Sequence, residues 1–365
     1  MNPVEELRRY GQSLWLDYIS RGMIRSGELK RLIEESGITG LTSNPTLFER
    51  AIDETHDYED TFESLMAARL DARSIYESLS VEDVRNACDL LKPVYERTGG
   101  ADGYASIEVS PFLAHDSKGS VTEASRLWYE IGRPNAMVKI PATEEGIPAI
   151  AEALAAGINI NIILIFSMSQ YEGVVDAFLH AIERAANPAR LASVASVFVS
   201  RVDTAVDSEL EKIGTPDALA LRGRAAIANA RLIYRRFREI FDSPRFAGLR
   251  GRHIRPQRVL WGSTGTKNPA YRDLMYVEEL VGRESINTVP PATFHALQDH
   301  GRIRGATASE GWAEAESVLK RIRTLGVNFD ALLDRLESEG VAAFGSSLEK
   351  LLETLDHKRS VVVHS

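Results

Sequence analysis

The chain has little of several things, and each shortage excludes something. Cys88 is the only cysteine, so neither an intramolecular disulfide nor a thiolate metal cluster is available. The eight histidines form no His-Glu-x-x-His run and pair with no cysteine, which argues against a metal site. Long hydrophobic runs are missing too. The longest, INIILIF at 160–166, falls far short of the ~20 residues that span a bilayer as a helix. Basic charge is in deficit, with 43 Lys and Arg against 52 Asp and Glu, a formal net charge of −9. That disfavours a generic nucleic-acid or anionic-membrane partner. The opening MNPVEELRRYGQSLWLD carries acidic residues and no continuous apolar stretch, so no signal peptide is expected. A cytoplasmic protein in a reducing compartment is the plain expectation.

What is present is ordinary globular material. The 365 residues are 44% apolar, enough for a large core. Length alone would allow two domains, but α/β barrels of this size form as one, and one domain over 1–365 is expected. There is no internal repeat and no low-complexity segment. Short β-branched runs alternate with longer helical patterns, which favours βα units and a parallel sheet. The strand candidates are LWLDY (14–18), ITGLTS (38–43), YASIEVS (104–110) and AMVKIP (136–141). INIILIF (160–166), ASVFVS (195–200), RVLWGS (258–263) and SINTVP (285–290) follow. Eight strands with helices between them point to an α/β fold, a single (β/α)8 barrel, with a doubly wound sheet as the competitor. Residues 45–100 read as mostly helical and longer than one crossover needs, so an insertion of two or three helices is expected near 50–100. Phe344, Leu348, Leu351, Leu352 and Leu355 recur at helical spacing, the pattern of a closing C-terminal helix.

In a barrel, alternate strand residues face inward and chemistry gathers at the C-terminal strand ends. The polar residues of the strands are informative in that light. Asp17 ends the first strand, and Asn44 follows the second. Glu108 sits late in the third and Lys139 late in the fourth, while Asn159 and Asn161 lie in the fifth. Ser196 and then Arg201 belong to the sixth, and Ser263 ends the seventh. A buried lysine beside carboxylates is either a satisfied ion pair or a nucleophilic amine that forms a Schiff base. Burial lowers the pKa of an amine while nearby carboxylates raise it. Asp17 and Glu108 are the acid/base candidates. Asn44 and Asn161 can hold hydroxyls, although Asn44 before Pro45 also suits a turn and Asn161 a buried amide. Arg201 and Lys267 follow neighbouring strands, where barrels often bind phosphate; each alone also reads as an exposed cation. GSTGTKN (262–268) lacks the Gly-Lys-Ser/Thr ending of a P-loop, so nucleotide binding is rejected there. Nine arginines fall within 231–258. They read as a solvated helix and loop, or as a lure for anions at the mouth.

These segments carry a resemblance. GLTSNPTLFERAI (40–52) and MVKIPATEEGIPAI (137–150) resemble the Thr-Ser-Asn-Pro and lysine motifs of the transaldolase family, in its longer bacterial form. SIEVSPFLAHD (106–116), SVASVFVSRVDTAVD (193–207), LWGSTGTKNPAYRDLMYVEELVG (260–282) and NTVPPATF (287–294) are similar to further family segments. The resemblance runs from about Leu14 to Pro291. It implies a barrel without a cofactor, sugar phosphates as substrates, and transfer of a dihydroxyacetone unit between them in the pentose phosphate pathway. A monomer or homodimer is implied as well. Carried over by position, it implies Lys139 as the Schiff-base nucleophile, Asp17 as the acid/base at the bond cleaved, and Glu108 as a carboxylate working through a water. Asn44, Asn161 and Ser196 would bind the dihydroxyacetone portion. Arg201 would hold phosphate, with Lys267 and Ser263 near the family's second phosphate position. One departure stands out: the family usually has threonine two residues after Asn161, and its hydroxyl helps hold the catalytic water. Here Ile163 takes that place. The departure admits a lyase, a transferase for a different sugar, or a catalytically weak sugar-phosphate binder beside a true transaldolase.

Overall fold

The computed structural model describes residues 2–363 apart from 45, 47, 49, 50, 52–56, 68 and 69. Eight parallel strands close in chain order: β1 (Gln12–Asp17), β2 (Gly40–Thr42), β3 (Tyr104–Glu108), β4 (Ala136–Pro141), β5 (Ile160–Ile165), β6 (Ser193–Phe198), β7 (Arg258–Gly262) and β8 (Ser285–Val289), with β8 pairing back onto β1. The main helices around them are α1 (Ala72–Arg97), α2 (Ser117–Ile131), α3 (Gly146–Ala155), α4 (Met168–Arg184), α5 (Ser200–Ile213), α6 (Ala225–Phe241), α7 (Pro291–His300) and α8 (Phe329–Val363). This is the (β/α)8 barrel, and a doubly wound sheet is excluded by the β1–β8 pairing. No described helix is long and apolar enough to cross a membrane.

The period-2 alternation of the strands sorts their side chains into two cores. Outward residues such as Leu16, Leu41, Ile107, Val138, Ile140, Ile162, Val197 and Trp261 join the helices in one apolar mantle. Inward residues Trp15, Tyr104, Met137, Val194, Leu260 and Ile286 form a second, separate cluster that plugs the foot of the barrel. The Trp15 indole needs the space beside Gly40, where an added Cβ would come within 2.4 Å of the ring. Its Nε1 donates to Asp102 Oδ1 at 2.7 Å, so this large residue is buried without an orphaned donor. Three of these helices are started by side chains that satisfy free backbone N–H groups. Asp71 caps α1, Asp116 caps α2, and Ser167 with Gln170 forms a reciprocal capping box on α4.

The insertion holds two described helices, Glu59–Ala67 and α1; the remainder of the expected stretch falls partly outside the described residues. A buried network fastens it to the barrel. Arg21 Nε donates to Asp83 Oδ1 at 2.9 Å, and Tyr58 Oη donates to Asp83 Oδ2 at 2.8 Å. The closing helix is longer than the apolar spacing around Phe344 implies, because α8 begins at Phe329. Phe344, Leu348, Leu351 and Leu355 are buried as expected. Gly340 brings α8 against β5: an added Cβ there would lie 2.8 Å from Leu164 Cδ2. Leu164 itself adopts a left-handed φ of 60°, and the β5–β6 register shifts between Ile162 and Ile165. A bulge of this kind re-aims the residues beside it, here just after Ile163.

Three expectations need correction. Arg201 is not in β6; the chain turns at Val199, and Arg201 lies in the first turn of α5. Asn159 precedes β5 and stays at the foot, where its Nδ2 donates to the Pro134 and Ala136 carbonyls and its Oδ1 accepts from Ala192 N. It ties three strands together and is remote from the mouth. The arginines at 250, 255 and 258 also line the foot, at the entrance to β7. They cannot draw anions to the opposite end.

Candidate active site

Strand register brings the central groups together. Glu108, Lys139 and Asn161 are neighbours across β3, β4 and β5, and Asp17 is level with Thr42 across β1 and β2. In-register residues of adjacent strands face the same side, so these groups share the barrel interior. Lys139 is only 5% exposed. Its Nζ donates to the Ser43 carbonyl at 2.6 Å and stands 3.1 Å from Glu108 Oε2. The second contact is an ion pair between two buried groups. Burial pushes the Glu108 carboxyl above its ordinary range; Lys139 pulls it back and Asp17 pushes it further up. Burial likewise raises Asp17, against the opposing charge of Lys139 and a hydrogen bond from Thr42.

Short chains of hydroxyls orient the remaining groups. Thr42 Oγ1 donates to Asp17 Oδ1 at 2.6 Å and lies 2.8 Å from Thr288 Oγ1. Since Thr42 spends its one proton on Asp17, Thr288 must be the donor of the second bond. Ser196 Oγ donates to Asn161 Oδ1 at 2.6 Å, and Asn161 Nδ2 donates to Ser106 Oγ at 3.2 Å. The Asn161 amide is thereby fixed in one orientation.

A cavity of about 170 Å³ opens onto this cluster. Of the nine residues expected at the site, Asp17, Asn44, Lys139, Asn161, Ser196, Arg201, Ser263 and Lys267 all line it; Glu108 stands behind Lys139, off the wall. Ile163 lines it too, so the apolar branch does face the mouth. Arg201 is half-buried, and among the described residues no carboxylate lies in ion-pair contact with its guanidinium, which packs over the Phe198 ring at 5.8 Å. Burial lowers its pKa while Glu339 opposes. A desolvated cation without an ion-pair partner is a standing demand for an anion. Lys267 is exposed on the same rim. A larger cavity of about 650 Å³ lies at the foot of the barrel. Of its two acids, Asp102 is occupied by Trp15 and Ser13 and Glu284 by Arg238 and Arg250, and no lysine lines it. The lysine, carboxylate and cations that the sequence singled out gather at the mouth.

Comparison with known proteins agrees with this geometry. A family model described as Transaldolase/Fructose-6-phosphate aldolase matches residues 14–355. The chain belongs to that transaldolase family. It is 47% identical over 354 residues to a transaldolase of Acidothermus cellulolyticus, covering 96% of this chain and 95% of that protein. Identity to a transaldolase of Thiobacillus denitrificans is 47% over 356 residues, covering 96% and 99%. A transaldolase of Frankia alni is 44% identical over 358 residues, covering 97% and 96%.

Within this family barrel, some site groups escape a reading of strand-end polar residues. Thr42 and Thr288 were visible in principle, since each falls on the inward parity of its strand. Ser43 contributes a backbone carbonyl and Phe344 arrives from α8; neither announces itself in the local pattern.

The raised carboxyls generate a pH prediction. A carboxyl whose folded pKa lies above its ordinary value, here 3.8 for Asp17 and 4.5 for Glu108, takes up a proton on folding. Its contribution to stability therefore falls as pH rises from the ordinary value through the raised one. Lys139→Met removes the opposing charge and moves both carboxyls higher. The stability gap between parent and variant should widen from pH 5 to pH 8, measured by urea unfolding at each pH. Parallel curves would show that Lys139 does not hold these carboxylates.

Proposed function

We propose that this chain is a transaldolase that moves a dihydroxyacetone unit from sedoheptulose 7-phosphate to glyceraldehyde 3-phosphate, giving erythrose 4-phosphate and fructose 6-phosphate. The observation that carries this reading is a buried lysine, held between a carboxylate and a carbonyl, in one small cavity with a second carboxylate and two cations. The whole chain, 1–365, acts as one barrel domain in this proposal, as a monomer or homodimer in the cytoplasm.

The steps follow from the groups present. Glu108, with its raised pKa, can accept the Lys139 proton and leave a neutral amine to attack the ketone carbon. Loss of water from the carbinolamine gives an iminium. Asp17 then takes the proton of the hydroxyl two carbons from the imine carbon. The carbon–carbon bond beside it breaks, the aldehyde leaves, and the bonding pair moves into the iminium to give an enamine. Attack of the enamine on the acceptor aldehyde reverses this, with Asp17 returning the proton to the new alkoxide. Hydrolysis frees Lys139. Asn44, Asn161 and Ser196 bind the hydroxyls of the three-carbon unit, and Arg201 with Lys267 and Ser263 holds the phosphate. A water held against Glu108 would carry protons to and from the imine.

Ile163 supports a slower enzyme. A hydroxyl at this position would order that water through one or two hydrogen bonds of about 1–1.5 kcal/mol each. Its loss slows proton transfer by roughly ten- to a hundredfold without blocking imine formation. Ile163→Thr keeps the β-branch that suits a strand, and kcat should rise by about that factor. An unchanged or lower kcat would mean that the pocket has been reshaped around an apolar contact, for a different sugar.

Transfer is separated from simple cleavage by the acceptor. With fructose 6-phosphate as donor, glyceraldehyde 3-phosphate should appear only when erythrose 4-phosphate is supplied. Release at a similar rate without acceptor would make the protein an aldolase instead.

A further inference from the structure

Lys267 stands on the wall of two cavities. One is the mouth; the other, of about 200 Å³, is lined by Asp203, Asp207, Tyr271 and Tyr276 among others. Neither carboxylate touches the mouth cavity, and the chemistry above uses neither. Both lie on α5, within two turns beyond Arg201, and both are buried. Lys267 belongs to the loop between β7 and the helix Met275–Glu279, and that loop is tied to α5 at both ends. At its start, Ser200 N donates to the Ser263 carbonyl at 3.0 Å, and the two hydroxyls are 2.9 Å apart. Towards its far end Tyr271 Oη donates to Asp207 Oδ2 at 2.6 Å, and from the helix that follows Tyr276 Oη donates to Asp203 Oδ2 at 2.9 Å.

The other oxygen of each carboxylate is also committed. Asp207 Oδ1 accepts from Gly223 N at 2.9 Å, and Asp203 Oδ1 accepts from Ala226 N at 2.8 Å. The start of α6 and the residues just before it thus buttress both pairs. Gly223, with φ of +70°, makes room for the Tyr271 ring, since a Cβ there would lie 2.9 Å from Cζ. Lys267 itself makes no hydrogen bond or ion pair with the described residues; beside the more distant charge of Asp17, its loop decides where its side chain starts.

We propose that the Asp207–Tyr271 and Asp203–Tyr276 pairs are positioning struts, which set the spacing between Arg201 and Lys267 and thereby the grip on the substrate phosphate. The proposal rests on the reading of Arg201 and Lys267 as phosphate ligands. The struts touch no reacting atom. Their loss lets the loop drift, which weakens phosphate binding equally in ground and transition states and leaves the bond-making steps alone. Such uniform binding shows in KM and not in kcat.

Tyr271→Phe and Tyr276→Phe remove only the hydroxyls and keep the rings. Each should raise KM for fructose 6-phosphate about three- to tenfold, the scale of one hydrogen bond. Inhibition by inorganic phosphate should weaken in parallel. kcat should stay within about twofold, and turnover of unphosphorylated dihydroxyacetone with unphosphorylated glyceraldehyde as acceptor should not change. In a Lys267→Ala background, where KM is already raised, Tyr271→Phe should add nothing, because the strut acts through that lysine. The struts are refuted if Lys267→Ala raises KM while both Tyr→Phe variants leave it unchanged, or if those variants impair dihydroxyacetone turnover as much. If Lys267→Ala itself leaves KM and phosphate inhibition unchanged, the phosphate reading fails and the struts fall with it.

Discussion

An ammonium inside a closed barrel is the constraint around which this molecule is arranged. Desolvating such a charge costs several kcal/mol unless partners are built in. The barrel has no edge and Lys139 is almost wholly buried in it, so the partners come from neighbouring strands at the same level. Glu108 supplies the counter-charge from β3 and Ser43 the carbonyl from just after β2. Glu108 in turn is a buried acid, and its burial raises its pKa. Each group is unfavourable alone and tolerable with the other.

The same alternation that makes the barrel makes the site. Outward residues bind the helices, and inward residues divide by height into an apolar plug at the foot and a polar belt at the mouth. The plug matters to the chemistry because it closes the barrel beneath Lys139 with Trp15, Met137 and Ile286, leaving a single open end for substrate. α8 completes that end, pressing Gly340 on Leu164 and placing Phe344 in the cavity wall. The left-handed turn at Leu164 sits between the catalytic parity of β5 and the surface against which α8 packs.

Much of this was legible in the amino-acid order. A lysine among Met137, Val138 and Ile140 is so unfavourable that it marks itself, and the inward parity of Asn161 and Ile163 follows from spacing alone. Strand centres were correctly read, but their ends were not. Val199 turns the chain two residues earlier than its β-branched character implies, which moves Arg201 from strand to helix. Asn159 and Asn161 share one parity but differ in height, and a periodic pattern carries no measure of height. The arginines of 250–258 show the same blindness, since their distance from the mouth depends on which end of β7 they adjoin. Contributions from backbone carbonyls and from α8 arise only through tertiary contact, as do the tyrosine–aspartate struts between α5 and the loop after β7.

The central claim is that Lys139 is buried in order to attack a ketone. Borohydride added during turnover of fructose 6-phosphate reduces any imine irreversibly, and peptide mapping by mass spectrometry then locates it. The account predicts a three-carbon adduct on Lys139, absent from Lys139→Ala along with all activity. An adduct on a different lysine, or none with any ketose phosphate, would contradict it.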